Sequence, residues 1–177
     1  MKKALMLAAS GGLFVALAAA CWLWLAYGRS AAEREVPIDP DADYRVSRVV
    51  DGDTFKAEVE GREITVRLLG VNTPETVDPR KAVECYGPEA SAETKALLSG
   101  RSVRLAFSPE KEHRDRYGRY LLYAYRDDGL LINRSLIEEG YAREYTVGKA
   151  YSLHAAFRDA EAAAKAAGKG LWGACEK

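Results

Sequence analysis

The sequence is short of most things that announce a function outright. Neither charge is in excess: 26 lysines and arginines face 26 aspartates and glutamates, a formal net charge of +0. Lys2, Lys3 and Arg29 stand in a stretch with no acid, so residues 33–177 carry 23 basic against 26 acidic residues, a net of −3. Such a domain cannot hold nucleic acid by bulk charge; if it handles polyanions, it needs a local arginine cluster or a metal. Three cysteines in 177 residues are too few for a toxin-like disulfide scaffold. The two histidines, His113 and His154, have no partner at metal-ligand spacing, which excludes a zinc nuclease; His113 reads as a solvated loop residue and His154 as a structural one. Six prolines beside 48% hydrophobic residues exclude a collagen, a disordered tail and a low-complexity linker. No repeat of 20–50 residues is visible, so solenoids and propellers are out.

What is present begins with an uncharged run of 24 residues from Ala4 to Tyr27. As a helix it spans about 36 Å, enough for a hydrocarbon core of about 30 Å. Trp22, Trp24 and Tyr27 at its distal end suit a membrane interface. A retained signal anchor in residues 1–28 is the favoured reading; a signal cleaved after Ala20 or Ala32 is the alternative, with lipidation of Cys21 a remote third. Lys2 and Lys3 keep the N-terminus in the cytoplasm and place the rest outside. Residues 29–43, with Pro37, Pro40 and three aspartates, read as a tether, leaving 44–177 as the domain. The localisation expected is extracytoplasmic: periplasmic, cell-surface or secreted. In an oxidising exterior Cys85 and Cys175 are expected to pair, closing a loop of about 90 residues worth about 4 kcal/mol.

The domain reads as three strands, a helix, two strands and two helices. Val46–Val50 is a strand. Phe55, Ala57 and Val59 share one face of the next, and Ile64, Val66 and Leu68 share one face of the third, with Gly61 turning the chain between them. Parity puts Arg67 opposite that apolar row, available to a surface site. Residues 74–86 lack a period and form a loop. Pro88 and Glu89 start a helix that buries Ala90, Thr94, Leu97 and Leu98 and stops at Gly100. Strands follow through Val103–Phe107 and Tyr120–Tyr125, the second with Leu121, Tyr123 and Tyr125 on one side, separated by the charged loop 108–119. Helices follow over 132–139 and 152–167, the latter packing Leu153, Ala156, Phe157, Ala160 and Ala164. Five strands with a helix between the third and fourth give the layout of an OB-fold barrel with three α-helices, an α+β class of chain preceded here by the hydrophobic N-terminal helix.

Three segments carry chemistry: Val50-Asp51-Gly52-Asp53-Thr54, Arg67 to Glu75, and Asp115-Arg116-Tyr117-Gly118-Arg119. Each alone is a turn or strand end. Together they supply oxygen donors for a hard cation in Asp53, Asn72 and Glu75, and two guanidinium forks for phosphate in Arg67 and Arg119. A loop carboxylate is present to take a proton from an attacking water. These are the parts of a phosphodiesterase.

These motifs, with Asn72-Thr73-Pro74-Glu75-Thr76 and Tyr86-Gly87-Pro88-Glu89-Ala90-Ser91-Ala92, resemble those of staphylococcal nuclease, the thermonuclease family, from about Tyr44 to Trp172. The resemblance implies a membrane-tethered or secreted endonuclease of OB fold, expected as a monomer, that uses calcium (Ca2+) to cut single-stranded DNA and RNA to 3′-phosphate products. It implies Arg67 and Arg119 as the transition-state arginines and Glu75 as general base. It implies Asp53 as a calcium ligand beside Glu75, the Thr73 carbonyl, and Arg116 and Tyr117 as contacts to a substrate phosphate. Asn72 stands where the family has a second calcium-binding aspartate, which implies weaker calcium binding or altered metal preference. The base-stacking tyrosine is open among Tyr141, Tyr145 and Tyr151. Two rivals stand beside the enzyme: a binding module that holds nucleic acid without cutting it, and a tethered adaptor.

Overall fold

The computed structural model describes Trp22 and residues 35–80 and 82–175. The expected anchor or signal, its orientation and the first part of the tether lie outside the described residues, as does Cys21. Among the described residues no helix is long and apolar enough to cross a membrane. The chain divides into units at Met1–Pro37 and Ile38–Lys177. In the second unit ordered contacts begin ahead of Tyr44: its hydroxyl accepts the Asp39 N–H at 2.7 Å and donates to the Asp39 carbonyl at 3.1 Å.

Five strands close a barrel in the order β1-β2-β3-β6-β5: β1 Asp43–Val49, β2 Thr54–Val59, β3 Arg62–Leu68, β5 Ser102–Ala106 and β6 Tyr120–Arg126. The alternation of the sequence is the cause. Phe55, Ala57 and Val59, then Ile64, Val66 and Leu68, then Val103 and Leu105, then Tyr120, Leu122 and Ala124 are all buried and fill the interior. β1, β2 and β3 form an antiparallel meander, with Phe55 opposite Val66. β3 and β6 run parallel, pairing Val66 with Tyr120 and Arg67 with Leu121. A two-stranded ribbon, β4 Val71–Asn72 with β7 Arg143–Glu144, pairs Asn72 with Arg143.

Among the described residues of this unit, four helices follow: α1 Gly87–Leu98, α2 Ile132–Glu138, α3 His154–Ala166 and the single turn α4 Leu171–Ala174. The sequence predicts three; α4 and the β4–β7 ribbon are additions. α1 buries Ala90, Thr94, Leu97 and Leu98 as the period requires. α3 buries Phe157, Ala160 and Ala164, but Ala156 is exposed and does not join the packed stripe. Tyr123, on the outer side of β6, is covered by Tyr151 and Phe157. Buried Asn133 in α2 joins the seam from outside the period: its amide donates to the Leu69 and Leu122 carbonyls at 2.9 and 3.1 Å, and its oxygen accepts the Ala124 N–H at 2.9 Å. Cys85 and Cys175 are joined by a disulfide, their α-carbons 6.0 Å apart.

Candidate active site

The turn before β2 builds one wall. Val50 and Asp51 both donate their N–H to the Thr54 carbonyl, at 2.9 and 3.0 Å. That curls the chain so that Asp53 faces inward, nearly buried. Its Oδ2 accepts the Thr73 N–H at 3.0 Å and the Thr73 hydroxyl at 3.2 Å, and its Oδ1 accepts the Thr54 hydroxyl at 3.0 Å. The turn presses so closely on Thr73 that a Cβ at Gly52 would lie 2.6 Å from the Thr73 hydroxyl. Glycine is what lets the two segments meet.

Asp51, quoted in the sequence motif without a role, ties this turn to the next loop. Its Oδ1 accepts the Gly52 N–H at 2.7 Å and the Thr76 hydroxyl at 2.8 Å. Burial raises its pKa above the ordinary aspartate value, and the charges of Asp53 and Glu75 add to the shift. Glu75 meets the opposite influence. Its Oε1 accepts the N–H groups of Thr76, Val77 and Asp78 at 2.9, 2.7 and 3.1 Å. These donors, Val77 foremost, hold its carboxyl below the ordinary glutamate range.

Arg67 lies outside the barrel interior, as its parity requires, but it is not a free surface residue. Its side chain is 11% exposed because oxygens wrap around it: Asp53 Oδ2 at 2.9 Å, the Val71 carbonyl at 2.7 Å and Asn72 Oδ1 at 3.2 Å. Burial loosens its hold on the proton; Asp53 works against that and Arg119 with it. An arginine stays a cation throughout. Asn72 thus turns its oxygen to the guanidinium.

Arg119 reaches the same region from the start of β6, two residues ahead of Leu121, the partner of Arg67 across the parallel seam. Its Nε donates to Asp115 Oδ2 at 2.7 Å. Asp115 Oδ1 accepts the N–H groups of Tyr117 and Arg119 at 2.9 and 3.0 Å, so one carboxylate sets the whole turn. The Tyr117 ring is 67% exposed, with the Arg116 guanidinium carbon 4.8 Å and that of Arg119 5.4 Å from its centroid.

All eight residues predicted for metal and phosphate line one groove of about 1140 Å³: Asp53, Arg67, Asn72, Thr73, Glu75, Arg116, Tyr117 and Arg119. The facing wall is the segment after β7. Lys111 fastens it by donating to the carbonyls of Val147 and Lys149 at 2.6 and 2.8 Å. Of the three candidate tyrosines, Tyr145 and Tyr151 line the groove, and Tyr145 is the exposed one, at 51%. Tyr151 is buried and donates its hydroxyl to Glu144 Oε1 at 3.0 Å; burial and that carboxylate push its phenol far up. Tyr141 packs on Tyr86, their centroids 5.7 Å apart, outside the groove. Neither histidine lines it. His113 is exposed but stacked on Phe107 at 3.7 Å rather than simply solvated, and His154 packs edge-on against Tyr151.

The staphylococcal nuclease homologue family matches residues 65–174. The thermonuclease of Staphylococcus hyicus is 38% identical over 129 residues, covering 73% of this chain and 75% of that protein. The thermonuclease of Staphylococcus intermedius is 45% identical over 100 residues, 56% of this chain and 58% of that one. Endonuclease YncB of Bacillus subtilis is 42% identical over 98 residues, 55% of this chain and 46% of that one. The matched span holds β5, β6 and the site residues from Arg67 to Arg119, the Staphylococcus hyicus protein is covered over three quarters of its length, and the chain belongs to the staphylococcal nuclease family.

Proposed function

We propose that the chain is a nuclease that hydrolyses phosphodiester bonds of single-stranded DNA and RNA with calcium as its cofactor, leaving 3′-phosphate ends. One observation carries the reading: Arg67 on β3 and Arg119 just ahead of β6, the strand paired with β3, line one groove with Asp53 and Glu75. The arginine cluster supplies locally the positive charge that the domain as a whole lacks. A binding module would need the cations but has no use for a carboxylate held ionised by three backbone donors beside them.

The donor set fits a hard cation. It consists of oxygens: the carboxylates of Asp53 and Glu75, the Asn72 amide and main-chain carbonyls such as that of Thr73. The mutual repulsion that helps raise Asp51 is what a cation relieves. Among the described residues no three acidic, histidine or cysteine side chains converge on one point, so carbonyl oxygen and water have to complete the set around Asp53. When bound, calcium supplies positive charge against that building on the phosphate.

The rest falls to the chain. Arg67 and Arg119 fork onto the non-bridging phosphate oxygens and stabilise the extra charge of the five-coordinate phosphorus. Asp115 keeps Arg119 aimed, and Tyr117 with Arg116 holds a neighbouring phosphate. The ionised Glu75 carboxylate takes the proton of the attacking water as its oxygen bonds to phosphorus, the bond to the 5′ oxygen breaks, and that oxygen leaves protonated by water in the groove. Tyr145 stacks a base from the far wall, worth about 1–3 kcal/mol. A monomer is the state we infer: each of the five barrel strands is paired on both sides and offers no edge to another copy. We infer an extracytoplasmic enzyme held by residues 1–28; the Cys85–Cys175 bond supports an oxidising compartment.

The test is hydrolysis of fluorogenic single-stranded DNA and RNA by the full chain. Cleavage to 3′-phosphate ends with calcium, abolished by excess chelator, is expected. Full activity in chelator would remove the metal from the mechanism, and binding without cleavage would make the chain a binding module.

A further inference from the structure

Glu75 stands on a segment with almost nothing beneath it. No described residue from 74 to 86 is buried, and Val77 and Val83 are 54% and 59% exposed. A segment without apolar anchorage is placed by its hydrogen bonds and covalent ties. Glu84 grips Glu75 at both of its main-chain groups: Glu84 Oε2 accepts the Glu75 N–H at 3.0 Å, and the Glu84 N–H donates to the Glu75 carbonyl at 3.0 Å. The next residue, Cys85, is bonded to Cys175, ninety residues on. Cys175 closes α4, which is seated in the body of the domain by buried Leu171 and Trp172 and by the Leu171 N–H on the Gly140 carbonyl at 2.9 Å. A hollow of about 180 Å³, lined by Pro74, Glu84, Cys85, Leu171 and Cys175 among others, lies under the bond. Between Thr76, whose hydroxyl rests on Asp51 Oδ1 at 2.8 Å, and Tyr86, which packs beside Leu171 and Trp172, these ties rather than buried side chains place the loop.

We propose that Glu84 and the Cys85–Cys175 bond form a strut that positions Glu75, so that cutting the strut lowers turnover and leaves substrate affinity in place. Affinity stays because Arg116, Tyr117 and Tyr145 stand on other segments. The proposal rests on the reading of Glu75 as general base. Glu84 touches no reacting atom in this scheme; it is a positioning residue.

The experiment measures kcat and KM on single-stranded DNA for the full chain and for Glu75→Gln, Glu84→Ala, Glu84→Gln, and the pair Cys85→Ser with Cys175→Ser, each well below its melting temperature. Misplacing a reacting group by about 1 Å costs up to about 100-fold, so kcat is expected to fall about tenfold or more in Glu84→Ala and in the cysteine pair, with KM within about twofold. Glu84→Gln recovers most of the rate, because its amide oxygen still accepts the Glu75 N–H. Combining Glu84→Ala with the cysteine pair lowers kcat no further than the worse of the two, since both sever one strut. An unchanged kcat in Glu84→Ala, or a cysteine pair that is less heat-stable but equally fast, overturns the strut. So does Glu84→Gln as slow as Glu84→Ala. If the cysteine pair fails to fold, the two Glu84 variants decide, because that exposed position carries no packing. Glu75→Gln separates the two readings: if it stays active, the general-base role falls and the strut with it, whereas an inactive Glu75→Gln beside fully active strut variants removes the strut alone.

Discussion

Replacing Arg67 by lysine keeps the charge and removes the fork, and the structure separates what each is worth. The guanidinium is shared by three oxygens, on Asp53 at 2.9 Å, Val71 at 2.7 Å and Asn72 at 3.2 Å. An ammonium is a compact charge on a flexible stem; it can stay beside Asp53 but cannot reach from Asp53 to Asn72 on two nitrogens. Two charge-assisted hydrogen bonds are lost, each worth about 1.5–3 kcal/mol when made. Water enters from the groove to replace them, so the net loss of stability is about 1–2 kcal/mol and the melting temperature falls by a few degrees. Asp53 keeps a partner, which avoids the larger cost of a buried unpaired charge. Catalysis suffers more. One missing transition-state donor costs about 2.7–4 kcal/mol, a rate loss of about 100- to 1,000-fold. Turnover on single-stranded DNA and thermal unfolding, measured on the same preparation, test both halves. Turnover within about threefold of the parent would show that Arg67 is not at the phosphate. A fall in melting temperature above about 15 °C would show that the lost activity is lost fold.

Other outcomes follow from the same geometry. Asn72→Asp adds a carboxylate to the calcium donor set and is expected to lower the calcium concentration for half-maximal activity; an unchanged or higher value in a titration at fixed ionic strength would place Asn72 with Arg67 only. Glu75 has a depressed native pKa, so its ionised form stabilises the fold above the ordinary value of 4.5 and that contribution is lost as pH falls through the lower native value. Glu75→Gln should therefore flatten the acid limb of urea-measured stability, and an unchanged acid limb would mean that the three N–H bonds do not hold the carboxylate. Gly70→Ala places a Cβ 2.4 Å from the Tyr151 ring at a φ of +76°, so crowding and backbone strain together should cost about 2–4 kcal/mol in denaturant unfolding.

The barrel was legible because alternation is the one signal a strand cannot avoid when one face is buried, and Arg67 was found by the same parity. The limits of that signal explain the rest. β4 and β7 are two residues each and carry no period, and α4 is a single turn behind Gly170. Alanine does not distinguish a buried face from an exposed one, so Ala156 read as packed when it is not. Arg67 read as a surface residue because parity says which side it is on but not that Asp53 and Asn72 enclose it there. The eight site residues come together because their motifs bring their own turns. Asp51, Asp115 and Glu84 act on main-chain N–H groups whose position exists only in the folded loop, so spacing gave them no role, although Asp115 two residues before Tyr117 has the form of an aspartate turn. Asn133 holds the β3–β6 seam as a polar residue on an apolar helix face, and a lone amide there does not say which main-chain groups it will meet.

That seam has a consequence for when the enzyme comes alive. The β1–β3 meander is built of neighbours in the chain and can form early, bringing Asp53 and Arg67 into register. Val66 meets Tyr120 only after 53 intervening positions have been closed into a loop, and such long-range contacts form late and slowly. Until they do, Arg119 is elsewhere and Arg67 lacks its partner in the groove. In a refolding experiment strand signal therefore returns before cleavage does, and the first hydrolysed phosphodiester marks the moment the barrel shuts.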